Sequence, residues 1–260
     1  MDVDEDAERL FETNRRYWDV STPQKMEHGS YPLESFRDGE STLFEHEPEE
    51  VGDVAGKSLL HLQCNNGLET LSWAREGADV TGIDISGESL RYARELAGES
   101  DLDGAFVQCN VYDASAVLDR RFDVVYTSRG VLAWLPDLDG WAAAIERLLA
   151  DDGTFYLFEG HPLPRVFDED FEPVRSYFDD EPSKRDESGF GADTDHYRTL
   201  HTLSDVVTAL ASSGLRIEFV HEFPFDYWHR WERMEDDGGG RWTLPEADLP
   251  LTFSLRATTS

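Results

Sequence analysis

One unit of the chain restricts the fold more than any other feature. An apolar segment, residues 58–63, leads through a short polar loop into a helix-like segment, residues 68–77, and a second apolar segment, residues 78–84, that ends in an acid. Strand, loop, helix and strand in this order form a nucleotide-binding unit, whose loop N–H groups approach the ligand and whose acid, about 20 residues on, binds ribose hydroxyls. Gln63 and Asp84 are 21 residues apart, which fits this unit.

The loop of this unit departs from the dinucleotide-binding fingerprint. Of the expected glycines it has only Gly67. A pyrophosphate is therefore not the expected ligand, and a nicotinamide-dependent oxidoreductase is disfavoured. Asn65 tolerates left-handed backbone angles and can keep a glycine-like turn, whereas Gln63 is harder to accommodate. A degenerate loop that no longer binds a cofactor is the alternative.

Strand-like and helix-like segments alternate along the rest of the chain. Further strands are predicted at residues 104–109, 122–127, 154–159, 215–223 and 249–258, and further helices at residues 87–98 (N-cap Ser86), 138–150 and 203–211 (N-cap Ser204, ending at Gly214). We predict an α/β fold with a doubly wound, mostly parallel, seven-stranded Rossmann-like sheet and right-handed crossovers. The last two strands form an antiparallel C-terminal edge hairpin.

Two parts of the chain lie outside this alternation. Residues 1–55 are predicted as an N-terminal helical arm or cap, with an amphipathic helix over residues 7–18 and a second helix near residues 41–52. Residues 160–202, which are rich in acids, Pro and Gly and lack a clear period, are predicted as a lid inserted into the main domain, residues 56–260.

The composition limits the classes of binding partner and the cellular location to be expected. The 55 acidic residues against 23 basic ones give a net charge of −32, which is typical of adaptation to high salt. Such a surface weighs against nucleic acid. No apolar run approaches the roughly 18 residues of a membrane span, and the acidic amino terminus is unlike a secretion signal, so a cytoplasmic protein is expected. Cys64 and Cys109 are predicted to be buried thiols rather than a disulfide or metal ligands.

Three segments carry a resemblance to a known family. Residues 59–86, 122–141 and 201–225 resemble the class I S-adenosylmethionine-dependent methyltransferases, most closely a subgroup whose first motif reads HLQC, and the resemblance runs from about Asn14 to Ala257. It implies S-adenosylmethionine as cofactor and an enzyme that methylates a small molecule. A noncatalytic protein of the same fold that binds the cofactor or a metabolite is the alternative.

The resemblance also implies roles for individual residues. Asp84 would accept the ribose hydroxyls, Ile85 would stack on adenine, and Gln63 could donate to the cofactor's carboxylate. The full set of implied cofactor-binding positions is Trp18, His61 (where the family usually has an acid), Gln63, Cys64, Asn65, Gly67, Asp84, Ile85, Asn110, Val111 and Ser128. Arg129 is either part of the site or a surface salt-bridge partner, and Tyr17 and Trp18 either close over the cofactor or pack against the core.

Methyl transfer depends mainly on orientation and exclusion of water. Where the acceptor needs a general base, His161, directly after the fifth strand, is the first candidate, and His196 and His201 are others, although each is more often structural. The spacing of these histidines matches no standard zinc pattern, so no metal is expected. The aromatic residues between 223 and 231 are expected to pack arm and lid onto the sheet, or alternatively to form an apolar substrate wall.

Overall fold

The structure is a computed structural model that describes residues 3–185 and 195–259. The helices and strands of these residues are, in chain order, α1 (Val3–Glu27), α2 (Leu33–Arg37), α3 (His46–Val51), β1 (Ser58–Leu62), α4 (Leu68–Arg75), β2 (Asp79–Asp84), α5 (Gly87–Glu99), β3 (Ala105–Gln108), α6 (Ala114–Leu118), β4 (Phe122–Ser128), α7 (Leu138–Leu148), β5 (Leu149–Gly160), β6 (Ser183–Arg185), β7 (His196–Arg198), α8 (Leu203–Ser212), β8 (Leu215–Phe223), β9 (Phe225–Asp226), β10 (Glu235–Asp236), β11 (Trp242–Thr243) and β12 (Thr252–Thr259).

Seven of these strands form the main sheet, in the order β3-β2-β1-β4-β5-β12-β8. Neighbours from β3 to β5 are parallel, whereas β12 runs antiparallel to both β5 and β8. The predicted seven-stranded, mostly parallel sheet with its antiparallel C-terminal edge hairpin is confirmed. Strand order reverses beside β1, and the crevice at such a switch point is where open α/β sheets bind ligands.

Local sequence accounts for most element boundaries. Ser86 caps α5, as predicted, because its side chain accepts a hydrogen bond from the backbone N–H of Ser89. The predicted cap of α8 is wrong: Thr202, not Ser204, caps this helix. Its hydroxyl accepts from the N–H of Asp205, whose carboxylate accepts in return from the N–H of Thr202. This reciprocal capping box satisfies two helix-end N–H groups, and a cap at Ser204 would satisfy fewer.

The N-terminal arm is more helical than the sequence pattern predicts. The predicted helix over residues 7–18 is part of α1, which continues through Pro23, and the helix predicted near residues 41–52 is the shorter α3. Ser21 and Thr22 are fully buried, and the Thr22 hydroxyl lies 2.8 Å from that of Ser89 on α5. Packing of the second half of α1 against α5 therefore extends the helix beyond its apolar stripe.

Regular secondary structure is present in the segment predicted as a lid. It contains a 3₁₀ helix, Leu163–Val166, and the antiparallel pair of β6 and β7. Residues 186–194 of the predicted lid lie outside the described residues. Cys64 and Cys109 are free thiols, as predicted, but only Cys64 is buried, whereas Cys109 is half-buried. Within residues 3–185 and 195–259, none of the helices has both the length and the apolar character that crossing a membrane requires.

Candidate functional site

A large cavity of about 910 Å³ opens at the carboxyl ends of β1, β2 and β4. This volume suits a ligand of cofactor or drug size. Its lining comes from the arm, the sheet loops, the 3₁₀ helix after β5 and the segment between β9 and β12. All the predicted cofactor-binding residues except Gly67 line it: Trp18, His61, Gln63, Cys64, Asn65, Asp84, Ile85, Asn110, Val111 and Ser128. Gly67 caps the start of α4, between the lining residues Asn66 and Leu68.

The loop after β1 holds an unusual backbone conformation. Gln63 and Asn65 have φ angles of 55° and 49°, and Gly67 has 78°. A Cβ atom on Gly67 would lie 2.8 Å from Cβ of Ala93, so glycine is required there by both space and conformation. Gln63 adopts the left-handed region that its side chain disfavours, and its buried Oε1 atom has no hydrogen-bond partner in the described chain. Strain and an unpaired buried acceptor together mark a ligand site.

Asp84, at the end of β2, holds this loop in place through hydrogen bonds and faces the cavity. Its Oδ2 accepts from the backbone N–H of Asn65 at 2.8 Å, and its Oδ1 accepts from that of Ser86 at 2.8 Å. Burial raises the pKa of Asp84 to about 6, although these backbone donors oppose the shift. Each carboxylate oxygen keeps a lone pair for a further donor.

His61 occupies the interior of the site. Its Nδ1 lies 2.7 Å from Oγ1 of Thr70 and its Nε2 lies 3.1 Å from Oγ of Ser128. Burial lowers the pKa of His61 to about 3, and the nearby Arg129 acts in the same direction. A neutral imidazole with both nitrogens occupied connects β1 to the end of β4 and orients the Ser128 hydroxyl at the cavity wall.

The wall beside β2 and β3 consists of Ile85, Asn110 and Val111, and Asn110 caps a 3₁₀ turn by accepting from the N–H of Tyr112. Apolar and amide groups therefore meet at this end of the cavity. The combination suits a flat ring with a polar edge.

Arg129 belongs to a buried charge network rather than to a surface salt bridge. Its guanidinium donates to the carboxylate of Glu47, to Glu69 at 3.3 Å and to the carbonyl of Thr42 at 2.8 Å. The hydroxyl of Tyr126 donates to the other oxygen of Glu47, whose side chain is fully buried. Burial lowers the pKa of Arg129, but the two carboxylates outweigh it and raise the pKa above its ordinary value.

Aromatic rings from the arm reach the cavity. Tyr17 packs between His196 and Trp134, at centroid distances of 4.3 and 5.3 Å, and Trp18 lies 4.9 Å from Trp134. Tyr17 is buried, yet it and Trp18 both line the cavity. The two roles considered for these rings, core packing and cover of a ligand, thus coincide in one cluster.

The candidate general bases are not brought to the cavity. His161 accepts from the N–H of Leu163 and lies 3.0 Å from the carboxylate of Glu222, so it sits at the hairpin edge of the sheet. Burial lowers the pKa of His161, opposed by Glu222. The ring of His201 contacts the carbonyl of Leu135 at 2.7 Å. Among the described residues, His61 is the one histidine that lines the cavity.

Sequence reasoning missed Glu159, which is buried at the end of β5. Its carboxylate organises the loop after β4 by accepting hydrogen bonds from five donors. These are the N–H groups of Gly130, Gly160, Val131 and Leu132 and the hydroxyl of Tyr227. An acid within the otherwise apolar segment 154–160 was the signal that could have identified it.

The aromatic residues before the last strand divide between the two roles considered. Phe223 and Phe225 pack with Phe158. Tyr227 and Trp228 line the cavity. Three arginines that sequence reasoning did not select also line it: Arg165, Arg198 and Arg230. In the described part of the chain, no group of three or more His, Cys, Asp or Glu side chains could hold a metal ion.

Comparisons with known proteins agree with this geometry. Residues 60–155 match a family model described as a methyltransferase domain. The ubiquinone biosynthesis O-methyltransferases of Salmonella paratyphi A and Klebsiella pneumoniae are 34% and 33% identical over 141 residues, which is 54% of this chain and 54% of each relative. The chain therefore spans about half the length of the curated relatives it matches.

Solved structures extend the likeness of fold over more of the chain. An S-adenosylmethionine-dependent methyltransferase from Mesorhizobium loti has a TM-score of 0.60 at 19% identity, covering 85% of this chain and 99% of that one. The glycopeptide N-methyltransferase MtfA, complexed with sinefungin, has a TM-score of 0.57 at 21% identity, covering 83% and 91%. At these identities the likeness concerns the fold.

Proposed function

We propose that this chain, which carries a class I S-adenosylmethionine-dependent methyltransferase domain, transfers a methyl group from S-adenosylmethionine to a small molecule. One observation carries the proposal. The Asp84 carboxylate and the unpaired Gln63 amide converge on one large cavity at the carboxyl ends of β2 and β1, where open α/β sheets bind nucleotide-like ligands.

The side chains present fit this cofactor. Asp84 has one lone pair left on each oxygen, which suits two neighbouring ribose hydroxyls. Gln63 offers an amide that can accept from an ammonium group and donate to a carboxylate, the two charged groups of the methionine part. Ile85 and Val111 supply an apolar slot for adenine.

The proposed mechanism asks the protein for orientation rather than for a nucleophile. When bound, S-adenosylmethionine supplies a methyl group whose bond to sulfur breaks with the electron pair left on sulfur. Ser128, fixed by His61, and the loop tied to Glu159 shape the wall at the end of β4. His61 is neutral and both of its nitrogens are hydrogen-bonded, so we assign it the role of positioning Ser128 rather than that of a general base. The proton of the acceptor would then leave to solvent. A general base at His161 stays a prediction.

We propose that residues 1–55 act as a cap and residues 160–202 as a lid over the main domain, residues 56–260. Support comes from the lining of the cavity, to which Trp18 of the arm and Arg165 and Arg198 of the later segment contribute. Rings and guanidiniums from these segments would exclude water from the reacting atoms.

The names of the relatives support a small acceptor methylated on oxygen or nitrogen, since they include ubiquinone biosynthesis O-methyltransferases and a glycopeptide N-methyltransferase. The net charge of −32 disfavours nucleic acid. The noncatalytic alternative depended on Gln63 and Asn65 replacing glycines. Because both residues adopt left-handed angles, the turn is kept and this alternative loses its support.

Calorimetric titration with S-adenosylmethionine and with its demethylated product, in molar KCl, tests the proposal. We expect saturable binding at micromolar levels. Asp84→Ala should weaken it about a hundredfold or more, because two hydrogen bonds to a charged group, at roughly 1.5 kcal/mol each, are lost.

Asp79→Ala is the matched control, since this exposed carboxylate begins the same strand and lies away from the cavity. It should bind like the wild type. Asp84→Asn, which keeps an acceptor oxygen, separates loss of charge from collapse of the loop. Wild-type affinity in both Asp84 variants, or no binding by the folded wild type, would refute the assignment.

A further inference from the structure

The cavity has a second end, distinct from the one that Asp84 and Gln63 occupy. Arg165 lies on the 3₁₀ helix after β5, Arg198 on β7 and Arg230 in the segment after β9. A Cβ atom placed on Gly160, the last residue of β5, would lie 4.0 Å from a terminal nitrogen of Arg230. β5 is three strands from β2, a distance of roughly 14 Å. The arginines therefore lie beyond the proposed cofactor, on the acceptor side.

This end of the cavity gathers three arginines in a strongly acidic protein. Arg230 pairs with the buried Asp226 at 2.9 Å, so the charges of these two groups offset each other. The Glu159 carboxylate nearby is saturated by its five donors. Within the described residues, the guanidinium of the partly buried Arg165 makes no hydrogen bond or ion pair, and only its backbone N–H is bonded, to the carbonyl of Pro162. Burial and the neighbouring Arg230 both lower the pKa of Arg165, and together they outweigh the opposing effect of Glu159.

An unpaired guanidinium group in a cavity, such as that of Arg165, recognises carboxylates and phosphates, because its planar N–H donors match two oxygens at once. The surrounding surface is aromatic. The guanidinium of Arg198 lies 4.8 Å from the ring centroid of Trp134, and Tyr227 and Trp242 complete the wall. A cation beside flat apolar surfaces suits an acid attached to an aromatic or similarly apolar frame.

We infer that the methyl acceptor is a small organic acid, whose anionic group binds Arg165 beside Arg198 and Arg230 while its nucleophilic atom points towards Ser128. The inference rests on the proposed function for the identity of the reaction, but the anion site itself can be tested separately. Arg165 is thus a specificity-determining residue for the acceptor.

The test uses the full chain in molar KCl, saturated with the demethylated cofactor product. Benzoate and phenyl phosphate are the anionic probes, and benzamide is the uncharged counterpart of benzoate. We expect one or both anions to bind and benzamide to bind at least tenfold more weakly. Arg165→Met should weaken anion binding at least tenfold and leave the affinity for the demethylated product unchanged.

Arg233→Met is the matched control, since Arg233 is exposed, lies outside the cavity and donates to the carbonyl of Glu169. It should bind the anions like the wild type. Equal binding of benzoate and benzamide by the wild type, no binding of either anion, or wild-type anion affinity in Arg165→Met would overturn the inference. If the demethylated product fails to bind, the proposed function fails, and the same anion titration on the protein alone still decides the arginine site.

Discussion

The buried carboxylate of Glu159 offers the sharpest test of how the loop after β4 is held. Glu159→Gln keeps the volume of the side chain, so no cavity forms and only charge and hydrogen bonding change. One carboxylate oxygen accepts from Val131 and Leu132 at 2.7 and 3.1 Å, and the other accepts from Gly130 at 2.7 Å and from two further donors. The amide can present its oxygen to one group of donors, and its NH₂ then faces the other.

The magnitude follows from this geometry. With the amide oxygen placed towards Gly130, the N–H groups of Val131 and Leu132 lose their acceptor and meet another donor. A buried, unsatisfied polar group costs roughly 1 to 3 kcal/mol, and the remaining hydrogen bonds weaken because the acceptor is no longer charged. We expect the free energy of unfolding to fall by about 3 to 5 kcal/mol, the range found when one member of a buried charged network is removed.

Guanidinium chloride unfolding of wild type and variant at pH 7.5, each at the same potassium chloride concentration, gives this difference. Glu88→Gln is the matched control, because its carboxylate is half exposed and pairs with Arg91 on the surface of α5. The control should change stability by about 1 kcal/mol or less. A Glu159→Gln change no larger than that of the control would refute the view that this carboxylate organises the loop.

Two further predictions concern charged groups of the site. Arg129→Met should lower the free energy of unfolding by about 3 to 5 kcal/mol, because the fully buried Glu47 loses its cation; the surface variant Arg91→Met, measured by the same denaturation, should change it far less, and similar values would contradict the network. Burial raises the pKa of Asp84 to about 6 from an ordinary value of 3.8, so cofactor affinity should fall about tenfold per pH unit below 6. The stability that this group contributes should instead rise as the pH falls from 6 to 4, because the folded protein binds the proton more tightly than the unfolded chain does. Calorimetry and denaturation across this pH range measure both trends, and an affinity that is flat between pH 5 and 7, or one that falls equally in Asp84→Asn, would contradict the prediction.

The parallel sheet could be predicted from the sequence because its information is local. Apolar strands of the right length alternate with amphipathic helices, and chirality leaves few ways to connect them. The acid at Asp84 and the loop around Gln63 follow the same logic, since strand ends in such a sheet meet at one edge. Ser86 as a cap is also a short-range feature.

The residues that escaped prediction depend on contacts distant in the chain. Glu159 looks like any acid until Gly130 and Tyr227 are placed beside it, 29 and 68 residues away. Arg165 is unremarkable in a segment without clear period, and only the folded cavity shows that it faces the same space as Arg230. Thr202 and Ser204 are both good caps by residue type, and the reciprocal bond with Asp205 decides between them.

The Arg129 network joins the first 55 residues to the rest of the chain, which limits where the protein can be truncated. Residue 56 would be a natural first residue for a truncated protein, because the nucleotide-binding unit begins just after it. A protein expressed from that point would lose Glu47 and the Thr42 carbonyl, so Arg129 would retain Glu69 alone at 3.3 Å. The hydroxyl of Tyr126 would lose its acceptor as well. The first 55 residues thus supply partners for buried polar groups of the sheet, and we expect that moving this domain between proteins requires moving them as well.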